Sequence, residues 1–232
     1  PRNIIVHDNV DKKLYFIVNI FKDEKIIENF NFDIPKELPP ISSILSGYFS
    51  YDIIRYIERI PNSTKNDLDI PDSRILRPRN IIVHDNVDKK LYFIVNIFKD
   101  EKITNISEKF SEVNKQIEDM VFLANYSSSY LHQNIKKLSK IKSNISKNKF
   151  INNVKKAKKF IKIGDIFQVV LSQRFECKLT KKPIEIYKKL RKTNPSPFMY
   201  FFNFNDFQII GASPEILVRL RDNKITIRPI AG

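Results

Sequence analysis

Hydrophobic positions along this chain follow two periods, and the change from one to the other marks its elements. From 80 to 97, "NIIVHDNVDKKLYFIVNI", apolar and polar residues alternate by twos on either side of Asn86–Asp88, which predicts a strand hairpin. Between 106 and 141 the spacing becomes threes and fours. Phe110, Val113, Ile117, Met120, Val121 and Ala124 then share one helical face. A second amphipathic helix is predicted over "FINNVKKAKKFIKIG", with Val154, Ala157 and Ile161 inward and Gly164 as its stop.

"GDIFQVVLSQRF", residues 164–175, reads as a strand. Phe167, Val169, Leu171 and Phe175 fall on one side, and Ile166, Gln168, Val170, Ser172 and Arg174 on the other. A helix from Pro183 to Lys192 follows, then "NPSPFMYFFNF", a turn running into a strand, and strands around a turn at Asp222–Lys224. Upstream, "ENFNFDIPKELPPISS" reads as a connector, and "GYFSYDIIRYIERIPN" as a short strand and a helix stopped by Pro61. Strands alternate with helices, yet many strands are hairpin-linked. The expected class is therefore α+β, with large, mostly antiparallel, sandwich-like sheets and helices packed outside.

One feature does not belong to any such pattern. Residues 1–26, "PRNIIVHDNVDKKLYFIVNIFKDEKI", recur without a change at 78–103. Repeat folds keep core positions and let surface positions drift, and they stack at least three units. Here even Lys12 and Lys89 match, so the repeat is a recent duplication or an artefact. Two identical hairpins compete for one slot, and the first copy is expected to be the surplus one. The expected organisation is this duplicate at 1–26, an N-terminal region over 27–141, a polar linker at 142–149 ("KSNISKNK"), and a second domain from 150 to 232.

Composition narrows the classes. With 42% hydrophobic residues, 18 Phe and 9 Tyr, core material is ample. No apolar run reaches the length of a membrane span, and no secretory signal pattern opens the sequence. The lone cysteine, Cys177, fits a reducing cytoplasm, and three His leave no zinc site. The net charge of +15 comes mostly from Lys dispersed among Ile, Asn and Phe. That joint skew is compositional, so a basic nucleic-acid-binding module is the lesser reading. A basic surface still draws in a small dianion.

Few residues carry chemistry on their own terms. Glu215, in "GASPEIL", is a carboxylate set between two apolar strands. Burial there would suit it to general-acid work, although an ordinary turn carboxylate explains it as well. Gln168 on its strand is by itself a hydrogen-bonded amide. "NPSPFMY" is by itself a rigid turn. No phosphate loop or dinucleotide fingerprint is present.

Taken together, "KKAKKFIKIGDIFQVVLSQRF", "NPSPFMYFF", "GASPEILVR" and "IRPIAG" resemble the chorismate-utilising enzymes in order and spacing, and within them the anthranilate synthase component I branch. "GYFSYDIIRYIERIPN" and "LRPRNIIVHDN" resemble its N-terminal region, so the likeness covers about residues 38–232. The resemblance implies a lyase that turns chorismate into anthranilate and pyruvate toward tryptophan. It uses Mg²⁺ and takes ammonia from a glutamine amidotransferase partner subunit.

The same resemblance implies site residues. Glu215 stands where the family places the acid that helps the C4 hydroxyl leave. Gln168 stands where relatives that add water hold a Lys base. An amide cannot deprotonate water but can accept a hydrogen bond from ammonia, so it favours amination. Ala231 and Gly232 match substrate-binding positions. Ala231 also separates the chain from some aminodeoxychorismate synthases of the para-aminobenzoate branch, the rival reading within the family. Pro197, Phe198 and Met199 match the positions that hold tryptophan as feedback inhibitor, although the companion "LLES"-like segment is absent, so a tryptophan-binding module without catalysis is a further reading. The Mg²⁺ ligands are expected in a C-terminal half beyond "IRPIAG", with no metal site in this chain. The expectation is that the chain alone is inactive.

Overall fold

The computed structural model describes residues 4–7, 14–20, 37–98, 101–126, 140–221 and 224–228. The chain divides into two compact units, Pro1–Tyr130 and Leu131–Gly232.

The first unit contains β1 (Ile4–His7), β2 (Leu14–Ile20), β3 (Ser46–Phe49), β4 (Ser73–Leu76), β5 (Asn80–Asp85), β6 (Lys90–Ile97) and α1 (Ile106–Asn125). β3 and β4 pair with each other, and the remaining strands form one sheet in the order β1-β2-β6-β5. β6 is its centre because both of its faces are apolar. Phe93, Val95 and Ile97 pack against Val113, Ile117 and Met120 of α1. On the opposite face Tyr92 and Ile94 pack with Leu38, Ile81 and Val83. The polar side chain buried in this strand, Asn96, is satisfied. Its Nδ2 donates to the Ser42 carbonyl at 3.2 Å and the Pro78 carbonyl at 3.3 Å.

The β5–β6 hairpin turns where the sequence predicts it. The backbone N–H groups of Val87 (2.8 Å) and Asp88 (3.1 Å) donate to Asp85 Oδ1, an Asx turn. The bonds from Asp88 and Val87 hold the Asp85 carboxyl below its ordinary range. α1 begins at an Asn105 cap, whose Oδ1 accepts from the N–H groups of Ser107 (3.0 Å) and Glu108 (3.4 Å). It ends at Asn125, well before the predicted residue 141. The apolar period stops at Ala124 and the chain continues as "YSSSY", whose serines favour other conformations. Residues 127–139 lie outside the described residues, and 140–141 are not helical.

Two further expectations are corrected in this unit. Tyr51–Tyr56 is a short 3₁₀ turn with no buried residue, not a helix running to Pro61. The Arg55 guanidinium bonds Asp52 at 2.6 Å and the Pro61 carbonyl at 2.7 Å, folding the segment back on itself. Phe110 and Ala124 are exposed, so the inward face of α1 is the narrower set Val113, Ile117 and Met120, with Val121 packed against it.

The second unit contains β7 (Lys142–Ser143), α2 (Lys147–Lys162), β8 (Phe175–Glu176), α3 (Pro183–Thr193), β9 (Phe198–Asn203), β10 (Gln208–Ser213), β11 (Arg219–Arg221) and β12 (Lys224–Thr226). The strands pair antiparallel as β7–β8, β9–β10 and β11–β12. The polar stretch 142–149, expected as a linker, thus holds a strand and the first turn of α2. α2 closes in a Schellman motif. Gly164 adopts φ +84°, the Asp165 N–H donates to the Phe160 carbonyl (3.0 Å), and the Gly164 N–H to that of Ile161 (3.2 Å).

The strand expected at 164–175 is reduced to Phe175–Glu176. Residues 165–174 form neither helix nor strand, and Phe167 and Val170 are 92% and 84% exposed. A strand exists only where a neighbour completes its ladder, and β7 supplies two residues of pairing. Val154 and Ile161, expected inward on α2, are also exposed. The class is α+β with mostly antiparallel pairing. Among the described residues its largest sheet has four strands and the others are two-stranded ribbons.

Candidate active site

The residues singled out by sequence that the structure describes all belong to the second unit, and the β9–β10 hairpin organises most of them. Its register opposes Phe198 to Ser213, Met199 to Ala212 and Tyr200 to Gly211. Opposed residues share a face, so Tyr200 lies over Gly211, and a Cβ at position 211 would run into the Tyr200 ring. Tyr200, Phe202, Phe204 and Phe207 continue as a row of rings 5.1–5.7 Å apart. Phe201, on the other face, meets Tyr187 of α3 at 6.0 Å. The glycine of "GASPE" is therefore the counterpart of the tyrosine of "PFMY".

That register brings two of the quoted motifs to one end of the hairpin. The Ser196 hydroxyl donates to the Ser213 carbonyl at 2.7 Å, tying "NPSPFM" to the start of "SPE". Ser213 Oγ in turn accepts from the Glu215 N–H (3.4 Å) and donates to the Glu215 carbonyl (3.3 Å). Pro197, Phe198 and Met199 thus stand beside the turn that carries Glu215. Pro197 and Phe198 are exposed, and Met199 is half-buried. Sequence reasoning missed Ser196, whose only local signal is a hydroxyl fixed between Pro195 and Pro197.

The two candidate chemical groups are placed differently from expectation. Glu215 is exposed, so the burial anticipated for its carboxyl is not supplied by the described residues. Gln168 is exposed in the irregular segment between α2 and β8, on no strand shared with Glu215. Both corrections have one cause: segment 165–174 and the loop after β10 each lack a covering layer. Ala231 and Gly232 lie outside the described residues. No group of three or more His, Cys, Asp or Glu side chains converges among the described residues. The described residues alone do not fit a Mg²⁺ ion.

Against known proteins, the chain matches the model of the chorismate binding enzymes over residues 4–232. It belongs to that family. This chorismate binding family member is 37% identical over 209 residues to anthranilate synthase component 1 of Cereibacter sphaeroides, covering 89% of this chain and 42% of that protein. It is 37% identical over 199 residues to the protein of the same name from Acetivibrio thermocellus, covering 84% of this chain and 40% of the relative. A crystal structure of anthranilate synthase component I from Streptococcus pneumoniae superposes with a TM-score of 0.73 at 29% identity, over 83% of this chain and 43% of that one. The chain therefore spans about two fifths of the length of the curated relatives it matches. No described helix is long and apolar enough to cross a membrane.

Proposed function

We propose that this chain belongs to an anthranilate synthase large subunit, a cytoplasmic carbon–oxygen lyase of tryptophan biosynthesis. It would convert chorismate and ammonia to anthranilate and pyruvate, the ammonia coming from a glutamine amidotransferase subunit. The observation that carries this reading is Gln168. The position at which, by the family resemblance, water-adding relatives hold a Lys base here holds an amide, in a chain whose relatives bear the anthranilate synthase name. An uncharged carboxamide leaves water unactivated and offers its carbonyl to an N–H of ammonia, which needs no base to be nucleophilic.

In this reading the Glu215 carboxyl donates a proton to the C4 hydroxyl of chorismate, which leaves as water. Ammonia, held at Gln168, adds beside the ring carboxylate, as an ortho product requires. The hydrogen bonds between Ser213 and the Glu215 backbone hold the turn that carries that carboxyl. Loss of the enolpyruvyl group as pyruvate then restores the aromatic ring. Ala231 and Gly232 would contact the substrate, and Pro197, Phe198 and Met199 would receive tryptophan as inhibitor. Mg²⁺ is the proposed cofactor, with ligands outside the described residues. We assign residues 27–141 to the N-terminal-type region and 150–232 to the chorismate-binding portion.

The test is a chimera in which residues 38–232 replace the matching part of the Cereibacter sphaeroides relative. Chorismate, Mg²⁺ and ammonium are supplied and anthranilate fluorescence is followed. A folded chimera that forms anthranilate supports the reading. A folded chimera that instead accumulates aminodeoxychorismate assigns the chain to the para-aminobenzoate branch and overturns it.

A further inference from the structure

The function leaves the duplicated segment unused, yet the structure pairs its strands β1 and β2 with β6. β6 carries the same sequence on both of its edges. On one side β5 opposes Val83 to Tyr92 and His84 to Leu91. On the other β1 opposes Val6 to Tyr92 and His7 to Leu91, the identical pairs of the duplicated segment. Farther along β6, β2 lies parallel to it with each residue beside its own counterpart: Val18 with Val95, Asn19 with Asn96, Ile20 with Ile97. Within the first copy, Ile4–Ile17, Ile5–Phe16 and His7–Leu14 repeat the register of Ile81–Ile94, Ile82–Phe93 and His84–Leu91. The edge of β6 away from β5 is thus an acceptor for this hairpin, and the contact is made through backbone ladders that any copy of the sequence satisfies.

We propose that the β1–β2 hairpin exchanges between two copies of the chain, capping β6 of its partner as it caps its own. The intrachain and interchain caps use the same residue pairs, so they differ only in whether one chain joins the hairpin to β6. Covalent connection within one chain acts as an effective concentration on the order of millimolar. Dilute chains therefore cap themselves, and chains folded together near that concentration exchange hairpins into a closed dimer.

The test places cysteines at Val18→Cys and Val95→Cys in the full chain, with Cys177→Ser removing the native thiol. Neighbouring strand partners of this kind lie within disulfide reach. Mild oxidation of dilute protein is expected to give an intrachain bond. Oxidation after refolding at about millimolar concentration is expected to give a reducible covalent dimer. The single variants, each with Cys177→Ser, are expected to give neither product in comparable yield. A second arm uses Val18→Pro in the otherwise natural chain, which breaks the first copy's ladder and leaves residues 78–103 intact. It is expected to abolish the dimer seen by sedimentation after concentrated refolding. Only intrachain bonds at every concentration, no bond at all, equal dimer from the single variants, or a dimer undiminished by Val18→Pro would each overturn the proposal.

Discussion

The Ser196 hydroxyl donates to the Ser213 carbonyl across the mouth of the β9–β10 hairpin, 2.7 Å apart and 17 residues apart in sequence. This bond extends the strand ladder, whose last pair is Phe198–Ser213, by one residue, and ties the proline turn to the segment leading to Glu215. Ser196→Ala leaves a part-buried carbonyl without that donor and is expected to cost about 1 kcal/mol, read from urea unfolding. Ser196→Thr keeps the hydroxyl and should recover most of the loss. An alanine variant as stable as the parent would show that the ladder alone orders the turn.

The two identical segments are expected to respond unequally to the same substitution. Phe93 is 2% exposed between β6 and α1, so Phe93→Ala opens a cavity costing roughly 3–5 kcal/mol. Phe93 already fills the slot against α1, so the same change at its counterpart Phe16 is expected to cost less. Closing the slot with the second copy uses the short connection 98–105 into α1, whereas the first copy would have to loop out everything between. Equal unfolding midpoints for the two variants would mean that both copies take turns in the slot.

These relationships show which parts of the fold could be read in advance. The β5–β6 hairpin, the start of α1 and the α3–β9–β10 run follow from periods of two and 3.6 and from local caps, so the residues themselves carry them. Segment 165–174 does not, because a strand pattern says which side chains share a face and nothing about who completes the ladder. The motifs around Glu215 and Met199 were legible as words, while the Ser196–Ser213 bond that joins them depends on register. The parallel pairing of Val18 with Val95 was equally out of reach, since identical sequences specify no preferred order among themselves.

A stability loss in acid is expected from one carboxylate. Burial alone would raise the Glu101 pKa. Bonds from Arg79 (2.9 Å), the Phe98 N–H (2.7 Å) and Lys109 (3.3 Å) outweigh that and bring it down to about 2. A carboxyl depressed in the folded state stabilises fully above its unfolded value, near 4.5, and that contribution fades as pH falls from there toward 2. Its size is at most about 3 kcal/mol, less what solvent screens at the half-exposed Arg79. Glu101→Gln should therefore lower stability at pH 7 and flatten the unfolding midpoint between pH 5 and 2 (approximate bounds of the window). A variant with the parent's acid profile would assign the loss to other groups.

The choice between ammonia and water as nucleophile should turn on position 168. In the chimera proposed above, Gln168→Lys places an amine where the carboxamide stands. Lysine can take a proton from water once its own charge is suppressed by a covering layer, and it repels no neutral ammonia. The expected result is a loss of at least about tenfold in anthranilate formation, with a hydroxylated product of chorismate appearing by chromatography. Gln168→Ala removes the acceptor without supplying a base, so anthranilate should fall and no hydroxylated product should form. Glu215→Gln should abolish both reactions, because either nucleophile needs the C4 oxygen protonated to leave. If Gln168→Lys kept full anthranilate formation while Glu215→Gln lost it, the acid would stand and the amide would have no part in selecting ammonia. That split outcome separates two roles that the family resemblance presents as one.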